Sequence, residues 1–317
     1  MAADPEFNLL DPRFTDPVAA AEYLESVRWP DRVACPHCGE SEREPYRLNS
    51  KATTRRLWKC RACRKQFTVM VGTIFESSHV PLNKWLAAFY LLCSSKKGMS
   101  AHQLHRMLDV TYKTAWFMFH RIREAMKDDA FTSRMGGVIE ADETYIGGKR
   151  RGSRRTKRDQ DRQAELRGRP KPGGNKTAVF TLVERDGRAR SFRMANVTAE
   201  NLKGAIRANV DRNAQLMTDG LKSYHGLGHE FAQHDVIEHH RGEYARGTVH
   251  TQTVESYFAN LKRGVNGVYH HVSRAHLDRY LAEFDHRWNH RHVSDSVRTT
   301  SALLGAEGKR LKYRETR

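Results

Sequence analysis

Three acidic residues and one lysine in the second half of the chain have the types and spacing to act on a phosphodiester. Asp142 falls in a strand-like run, Asp219 directly follows another, and Glu255 lies on a helical run with residues 220 to 254 in between. Lys262 follows Glu255 by two helical turns, so both stand on one side of that helix, at the border of the apolar stripe Val254, Phe258, Leu261 and Val265. Carboxylates brought together repel and raise one another's pKa unless cations share the site. Two Mg2+ or Mn2+ ions about 3.5 to 4 Å apart would activate a water or a 3′-hydroxyl and stabilise the leaving oxygen of an in-line displacement. Lys262 would then hold a DNA phosphate beside them. Taken singly, each acid is an ordinary solvated residue, and it is the arrangement that points to metal-dependent phosphoryl transfer. Glu143 is an alternative to Asp142. Neighbouring strand residues face opposite sides, so only one of the two is expected in the site. Glu140 shares the face of Asp142 and is a weaker competitor. His250, His270 and His271 flank the last helix within reach of a substrate, with surface histidine as the default reading.

A second constellation is made of sulfur. Cys35-Pro-His-Cys38 and Cys60-Arg-Ala-Cys63 are two C-x2-C knuckles separated by residues 39 to 59, a spacing suited to one tetrahedral zinc ion. Four thiolates close the coordination shell, so the Zn2+ is structural, and its binding energy becomes folding energy for a polar segment. His37 is an alternative ligand that four cysteines make unnecessary. Cys93, in an apolar helix, reads as a small core residue.

These groups need elements to position them. Asp16 and Pro17 signal a first helix that stops near Pro30, and Pro81 begins an apolar helix that ends at Lys96-Lys97-Gly98. Ser100 and Gln103, at capping-box spacing, open a short helix to Leu108, and a second runs from about Thr111 to Lys127. The pair reads as a helix-turn-helix, with Tyr112, Lys113, Thr114, His120 and Arg121 outward and Ala115, Met118, Phe119 and Ile122 inward. An α/β section follows, with strands at 138–145, 177–184 and 188–196, the last two joined by an Asp186-Gly187 turn. After them come a helix at 199–209, strands near 214–218 and 235–238, and a helix from about 253 to 264.

Composition narrows the partner. Lysine and arginine total 55 against 37 acids, a formal net charge of +18, which favours a polyanion and nucleic acid first. The segment from Lys149 to Lys171, with Arg150 and Arg151 at its start, carries eleven basic residues against three acids. It reads as a solvated loop that orders on DNA. No apolar run approaches the ~18 residues of a membrane span. Met1 to Phe7 has no secretory pattern and reads as an extension outside the fold, so a reducing, intracellular setting is expected. The expected organisation is an N-terminal extension and helix (1–30), a zinc ribbon (31–72), the helix-turn-helix region (80–128), a catalytic domain (135–292) with a basic insert (149–174), and a basic tail (293–317).

Several stretches, taken together, are specific. They are the two knuckles, Lys113-Thr114-Ala115-Trp116, Asp142-Glu143-Thr144-Tyr145-Ile146-Gly147-Gly148, Thr218-Asp219-Gly220 with Tyr224-His225, His250 through Glu255 leading into Leu261-Lys262-Arg263-Gly264, and Gly267 through Ser273. Over residues 35 to 291 the chain resembles DDE-type insertion-sequence transposases with an N-terminal zinc ribbon and an RNase H-like core. The resemblance implies a multidomain α+β and α/β protein with a mixed-sheet catalytic domain. It implies Asp142, Asp219 and Glu255 as the triad holding Mg2+ or Mn2+, with Lys262 as the lysine that follows. Some members carry asparagine where this chain has Gln252. The implied activity is strand cleavage at element ends and transfer of the freed 3′-hydroxyls into target DNA, by a homodimer or higher oligomer on double-stranded DNA in the bacterial cytoplasm. Tyr112, Lys113, Thr114, Arg121, Arg150, Arg151, Lys262 and Arg263 are the expected DNA contacts. A zinc-ribbon regulator without catalysis, and a nuclease or resolvase on the same fold, are the alternatives.

Overall fold

A computed structural model describes residues 6–48, 56–127, 133–147 and 176–316. The basic insert, with Arg150 and Arg151, lies outside the described residues. The chain divides into two compact units. The first comprises residues 1–132, 267–269 and 279–317, and the second 133–266 and 270–278.

In the first unit a single turn, α1 (Pro12–Thr15), precedes α2 (Pro17–Arg28), whose first amides bond to the Asp16 carboxylate as expected. Three short antiparallel strands follow, β1 (Tyr46–Leu48), β2 (Leu57–Lys59) and β3 (Gln66–Phe67). They are tied to α2 through the buried Glu25, whose carboxylate accepts from Arg56 and from the indole N–H of Trp58. Helix α3 (Leu82–Ser94) is almost wholly buried. Gly98 follows it at φ +95°, and a Cβ there would lie 2.0 Å from the Tyr269 hydroxyl, so the breaker is also a close-approach point. Then come α4 (Ala101–Leu108) and α5 (Tyr112–Ala125), capped by the hydroxyls of Ser100 and Thr111. Asp109, between them, adopts the left-handed conformation that ends α4.

Two expectations fail here, for one reason. Phe7, set aside as part of an extension, is buried against Phe14, Tyr23 and Tyr90. The segment read as a basic tail contains a helix whose Ala302 and Leu303 enter the same core, and Leu311 beyond it is also buried. Both ends of the chain supply apolar side chains that no local periodicity announces.

The second unit is built on a five-stranded mixed sheet. Strands β4 (Val138–Ile146), β5 (Thr177–Glu184) and β6 (Ala189–Met194) form an antiparallel meander. Asp186 takes φ 62° at the β5–β6 turn. Helix α6 (Ala199–Asn209) then crosses to β7 (Gln215–Asp219), which pairs with β4 in parallel, and β8 (Gln233–Ile237) pairs with β7 in parallel. The sheet order is β6-β5-β4-β7-β8. The mixed sheet expected for the catalytic domain is thus present. Leu202 and Ile206 of α6 pack with Ile139, Ala141, Phe180 and Leu216. After the minimal hairpin β9 (Ala245–Arg246) and β10 (Val249–His250) comes α7 (Gln252–Gly264), which lies against β4 and β5. Contacts on both faces explain why β5 reads as a continuous buried run. Helix α7 continues into a π-helical turn, Val265–Tyr269, and α8 (Leu277–Asn289) and α9 (Asp295–Leu304) complete the chain. No helix among the described residues is long and apolar enough to cross a membrane.

Candidate active site and metal centres

The last parallel pair between β4 and β7 is Ala141 with Thr218, so Asp142 and Asp219 are the next residues of the two strands and stand side by side. Beyond that pair β7 ends, and β4 loses its neighbour on that side. A side chain from either face of β4 can turn into the gap. Glu143 does so. Oxygen atoms of Asp142, Glu143 and Asp219 lie within 4.8 Å of one another. This corrects the expectation that only one of Asp142 and Glu143 enters the site: the two side chains leave β4 on opposite faces, but past the end of β7 no strand stands between them and both carboxylates reach Asp219. Glu143 is held from behind by the Tyr224 hydroxyl, which donates to its Oε2 at 2.6 Å.

Burial, the backbone N–H of Glu143 working against it, and the charges of Glu143, Asp219 and Glu255 together push the Asp142 carboxyl up to about 8. Burial also raises Glu143, opposed by the Tyr224 bond and reinforced by Asp219. The cluster is thus an assembly of oxygen donors that resists holding its own negative charge. Hard cations with oxygen ligands, Mg2+ or Mn2+, suit such a set.

Glu255 stands in the first turn of α7, half exposed, outside the three-residue cluster but close enough to raise Asp142. Its Oε1 lies 3.5 Å from Nε2 of His239, in the short turn after β8. His239 was not singled out from sequence. Only its place after the third parallel strand, at the edge where β7 ends, brings it to Glu255. Of the flanking histidines, His250 turns away, with Nδ1 3.3 Å from Glu140. Glu140 shares the face of Asp142 but is fully buried in hydrogen bonds to α7 and Arg185 and has no place in the acidic cluster. Lys262 is exposed and lines a groove of ≈ 390 Å³ with Lys176, Tyr145 and Asn266. Arg263 beside it is also exposed.

The four cysteine sulfurs form the other centre. Cys35 and Cys63 are 3.7 Å apart, as are Cys38 and Cys60, and all four lie within 4.8 Å of one another without a disulfide. Each knuckle is followed by a left-handed residue, Gly39 and Arg64, the turn that points both sulfurs of a knuckle inward. Backbone N–H groups, that of Cys63 first, pull the Cys60 thiol down, while burial pushes Cys35 up, so the four sulfurs do not ionise together without a cation's charge. His37 lies near the Gln66 carbonyl, outside the cluster.

On the helix pair, Tyr112, Lys113 and Thr114 occupy the first turn of α5, with Tyr112 stacked on His102 and Lys113 Nζ 4.8 Å from the Tyr313 ring. His120 and Arg121 do not face outward. Both are buried, and Arg121 donates to the Leu311 carbonyl at 3.1 Å. The C-terminal segment covers the face that sequence periodicity left open.

Residues 134–289 match the model of the ISXO2-like transposase domain, and this span contains Glu140, Asp142, Glu143, Asp219 and Glu255. An uncharacterized protein in the transposable element ISH50 of Halobacterium salinarum is 31% identical over 270 residues, covering 84% of this chain and 89% of that protein. The chain belongs to the ISXO2-like transposase family. Residues 16–66 match the transposase zinc-ribbon domain, so the family's ribbon unit includes α2, in keeping with the Glu25 ties. Among solved structures, the Mos1 transposase paired-end complex with left transposon end is 14% identical, covers 72% of this chain and 80% of its own, and has a TM-score of 0.26. A pre-cleavage Mos1 transpososome is 13% identical with the same coverage and TM-score.

Proposed function

We propose that this chain is the transposase of an insertion sequence, binding the element's ends and catalysing metal-dependent strand cleavage and transfer of the 3′-hydroxyl into target DNA. The observation that carries the reading is the register of β4 and β7, which sets Asp142 and Asp219 side by side at an open strand end with Glu143 beside them. Within the proposal Asp142, Asp219 and Glu255 hold the catalytic Mg2+ or Mn2+. When bound, such ions activate the attacking oxygen and stabilise the leaving one. The chain's own residues do the rest. Tyr224 fixes Glu143 so that its charge stays beside the two aspartates. Lys262 and Lys176, on the groove, neutralise phosphates of the strand being joined. The four thiolates hold a structural Zn2+ that keeps the ribbon folded. The first turn of α5, with Tyr112, Lys113 and Thr114, contributes to DNA contact, as do Arg263 and the basic residues Arg150 and Arg151. Acting on two ends at once calls for a homodimer or higher oligomer on DNA, working on chromosomal DNA in the cytoplasm.

The test is strand joining of a labelled element-end duplex into plasmid DNA with Mg2+ or Mn2+, the ends being taken from sequence flanking the gene. Wild type should join, while Asp142→Asn, Asp219→Asn and Glu255→Gln should bind the duplex and fail to cut it. Binding without cutting by wild type would make the chain a regulator, and cutting without joining a nuclease. Normal cutting by the variants would overturn the site.

A further inference from the structure

Helix α7 is capped from outside itself. Thr251 occupies its cap position, yet the Thr251 side chain makes no capping bond, and its Oγ1 lies 3.2 Å from His239 Nε2 instead. The free amides at the helix start go to Glu140 of β4. Its Oε2 accepts from the backbone N–H of Thr253 at 2.7 Å and of Val254 at 3.0 Å, and its Oε1 accepts from the Thr253 hydroxyl at 2.8 Å. The Arg185 guanidinium balances the charge, with Nε 3.0 Å from Oε1, and also donates to the carbonyls of Thr248 and His250, which lead into the helix. The Glu140 side chain is fully buried.

A local cap fastens a helix only to itself. A cap supplied by a neighbouring strand fastens the helix to that strand, and two oxygens on three donors prevent both sliding and rotation. Glu140 is two residues before Asp142 on β4, and Thr253 is two residues before Glu255 on α7. The connection from Asp142 to Glu255 therefore runs through one strand repeat, this set of hydrogen bonds and half a helical turn, all rigid. We propose that Glu140 is a positioning residue that sets where Glu255 stands relative to Asp142, and so tunes metal affinity without touching the metal. The inference rests on the reading above that Glu255 shares the catalytic metal with the two aspartates. It also accounts for an acid on the Asp142 face that joins no acidic cluster, since donors already fill both its oxygens.

Glutamine at this position keeps the shape but puts an amide N–H₂ where an acceptor is needed and leaves Arg185 without its counter-charge. The experiment is Mn2+ binding to the full, zinc-loaded chain without DNA, followed by the EPR signal of free Mn2+, for wild type, Glu140→Gln, Glu255→Gln and the double variant. Circular dichroism and zinc content serve as the check of folding. Glu140→Gln is expected to weaken Mn2+ binding about 10- to 100-fold, the range seen when a residue supporting a metal ligand is lost. The double variant should bind no more weakly than the worse single one, because both changes act on one ligand. In strand joining, Glu140→Gln should raise the Mn2+ concentration for half-maximal rate. A purely structural role would lower the folded fraction and leave that concentration unmoved. If Glu255→Gln weakens Mn2+ binding and Glu140→Gln does not, or if their losses add in full, the positioning role is overturned and the metal site stands. If Glu255→Gln itself binds Mn2+ as wild type does, the metal-site reading fails and takes this inference with it. Should Glu140→Gln fail to fold, Thr253→Val removes one of the three bonds while keeping the Arg185 pair. It should weaken Mn2+ binding about 2- to 10-fold, the worth of one such hydrogen bond, and unchanged binding would overturn the role.

Discussion

Removing one carboxyl from the acidic cluster should stabilise the metal-free protein while abolishing its response to magnesium. Asp142 is half-buried, and burial together with Glu143, Asp219 and Glu255 pushes its carboxyl from 3.8 up to about 8. A carboxyl whose pKa rises on folding opposes the folded state above its unfolded value, and the penalty grows by about 1.4 kcal/mol per pH unit until the folded pKa is passed. No penalty exists below pH 3.8, and at pH 7 its ceiling is about 4 kcal/mol. Solvent reaches this carboxylate and screens its neighbours, which brings the expected gain for Asp142→Asn to about 1–3 kcal/mol. The readout must report on the sheet alone. All five tryptophans (Trp29, Trp58, Trp85, Trp116 and Trp288) lie in the other unit. Hydrogen exchange of β4 and β5 amides, in buffer freed of divalent cations by resin so that the zinc stays in place, meets that need. At pH 7 the variant should exchange more slowly than wild type, with the difference shrinking towards pH 4. Magnesium at ten times its dissociation constant should stabilise wild type by about 1.4 kcal/mol and the variant by nothing measurable. Slower exchange in wild type than in the variant without metal, or equal protection of both by magnesium, would refute the reasoning.

Three further outcomes follow from the same structure. Cys60→Ser should lose the bound zinc, measured by plasma mass spectrometry, and expose residues 31–72 to protease; full zinc retention would rule out the four-thiolate site. Glu283 is fully buried between Arg123 (Nε at 2.5 Å) and Arg287 (Nη1 at 2.5 Å), so Glu283→Gln strands two cations and should lower stability by about 3–5 kcal/mol in tryptophan-monitored urea unfolding. A loss below about 1 kcal/mol would contradict that picture. Burial first, then the neighbouring His290, pushes His286 down to about 3, so it stays neutral in the fold while the unfolded chain takes up a proton below about 6.5. Stability is complete above that pH and falls as pH drops through the unfolded value, by about 1.4 kcal/mol at pH 5.5. His286→Gln should remove this part of the difference between urea midpoints at pH 7.5 and 5.5, and equal slopes for both proteins would exclude it.

What the sequence made legible and what it hid divide along one physical line. Cys35 with Cys38 and Cys60 with Cys63 declare themselves because a metal site needs fixed residue types at short spacing, and the sulfurs do converge. Helices α2 and α4 and the β5–β6 turn were legible at the level of single residues, since the Asp16 and Ser100 caps and the Asp186-Gly187 turn act locally. Asp142 and Asp219 could be picked out as strand-end acids, but their adjacency is a matter of parallel register between strands separated by a meander and a helix. The residues that sequence reasoning misplaced are those whose environment comes from far along the chain. Arg121 looked like the outer face of a recognition helix until Leu311 covered it. Glu143 looked excluded by strand alternation until β7 ended one residue beyond its pair and left a gap. Glu140 looked like a rival ligand until α7, more than a hundred residues later, brought it donors. In each case the side chain's chemistry was readable and its neighbours were not. A charged residue at a site edge is therefore best read by what satisfies it: Asp142 accepts from the Glu143 backbone N–H and stands among acids, as the proposed cation site requires, whereas both oxygens of Glu140 are taken by donors, as its proposed positioning role requires.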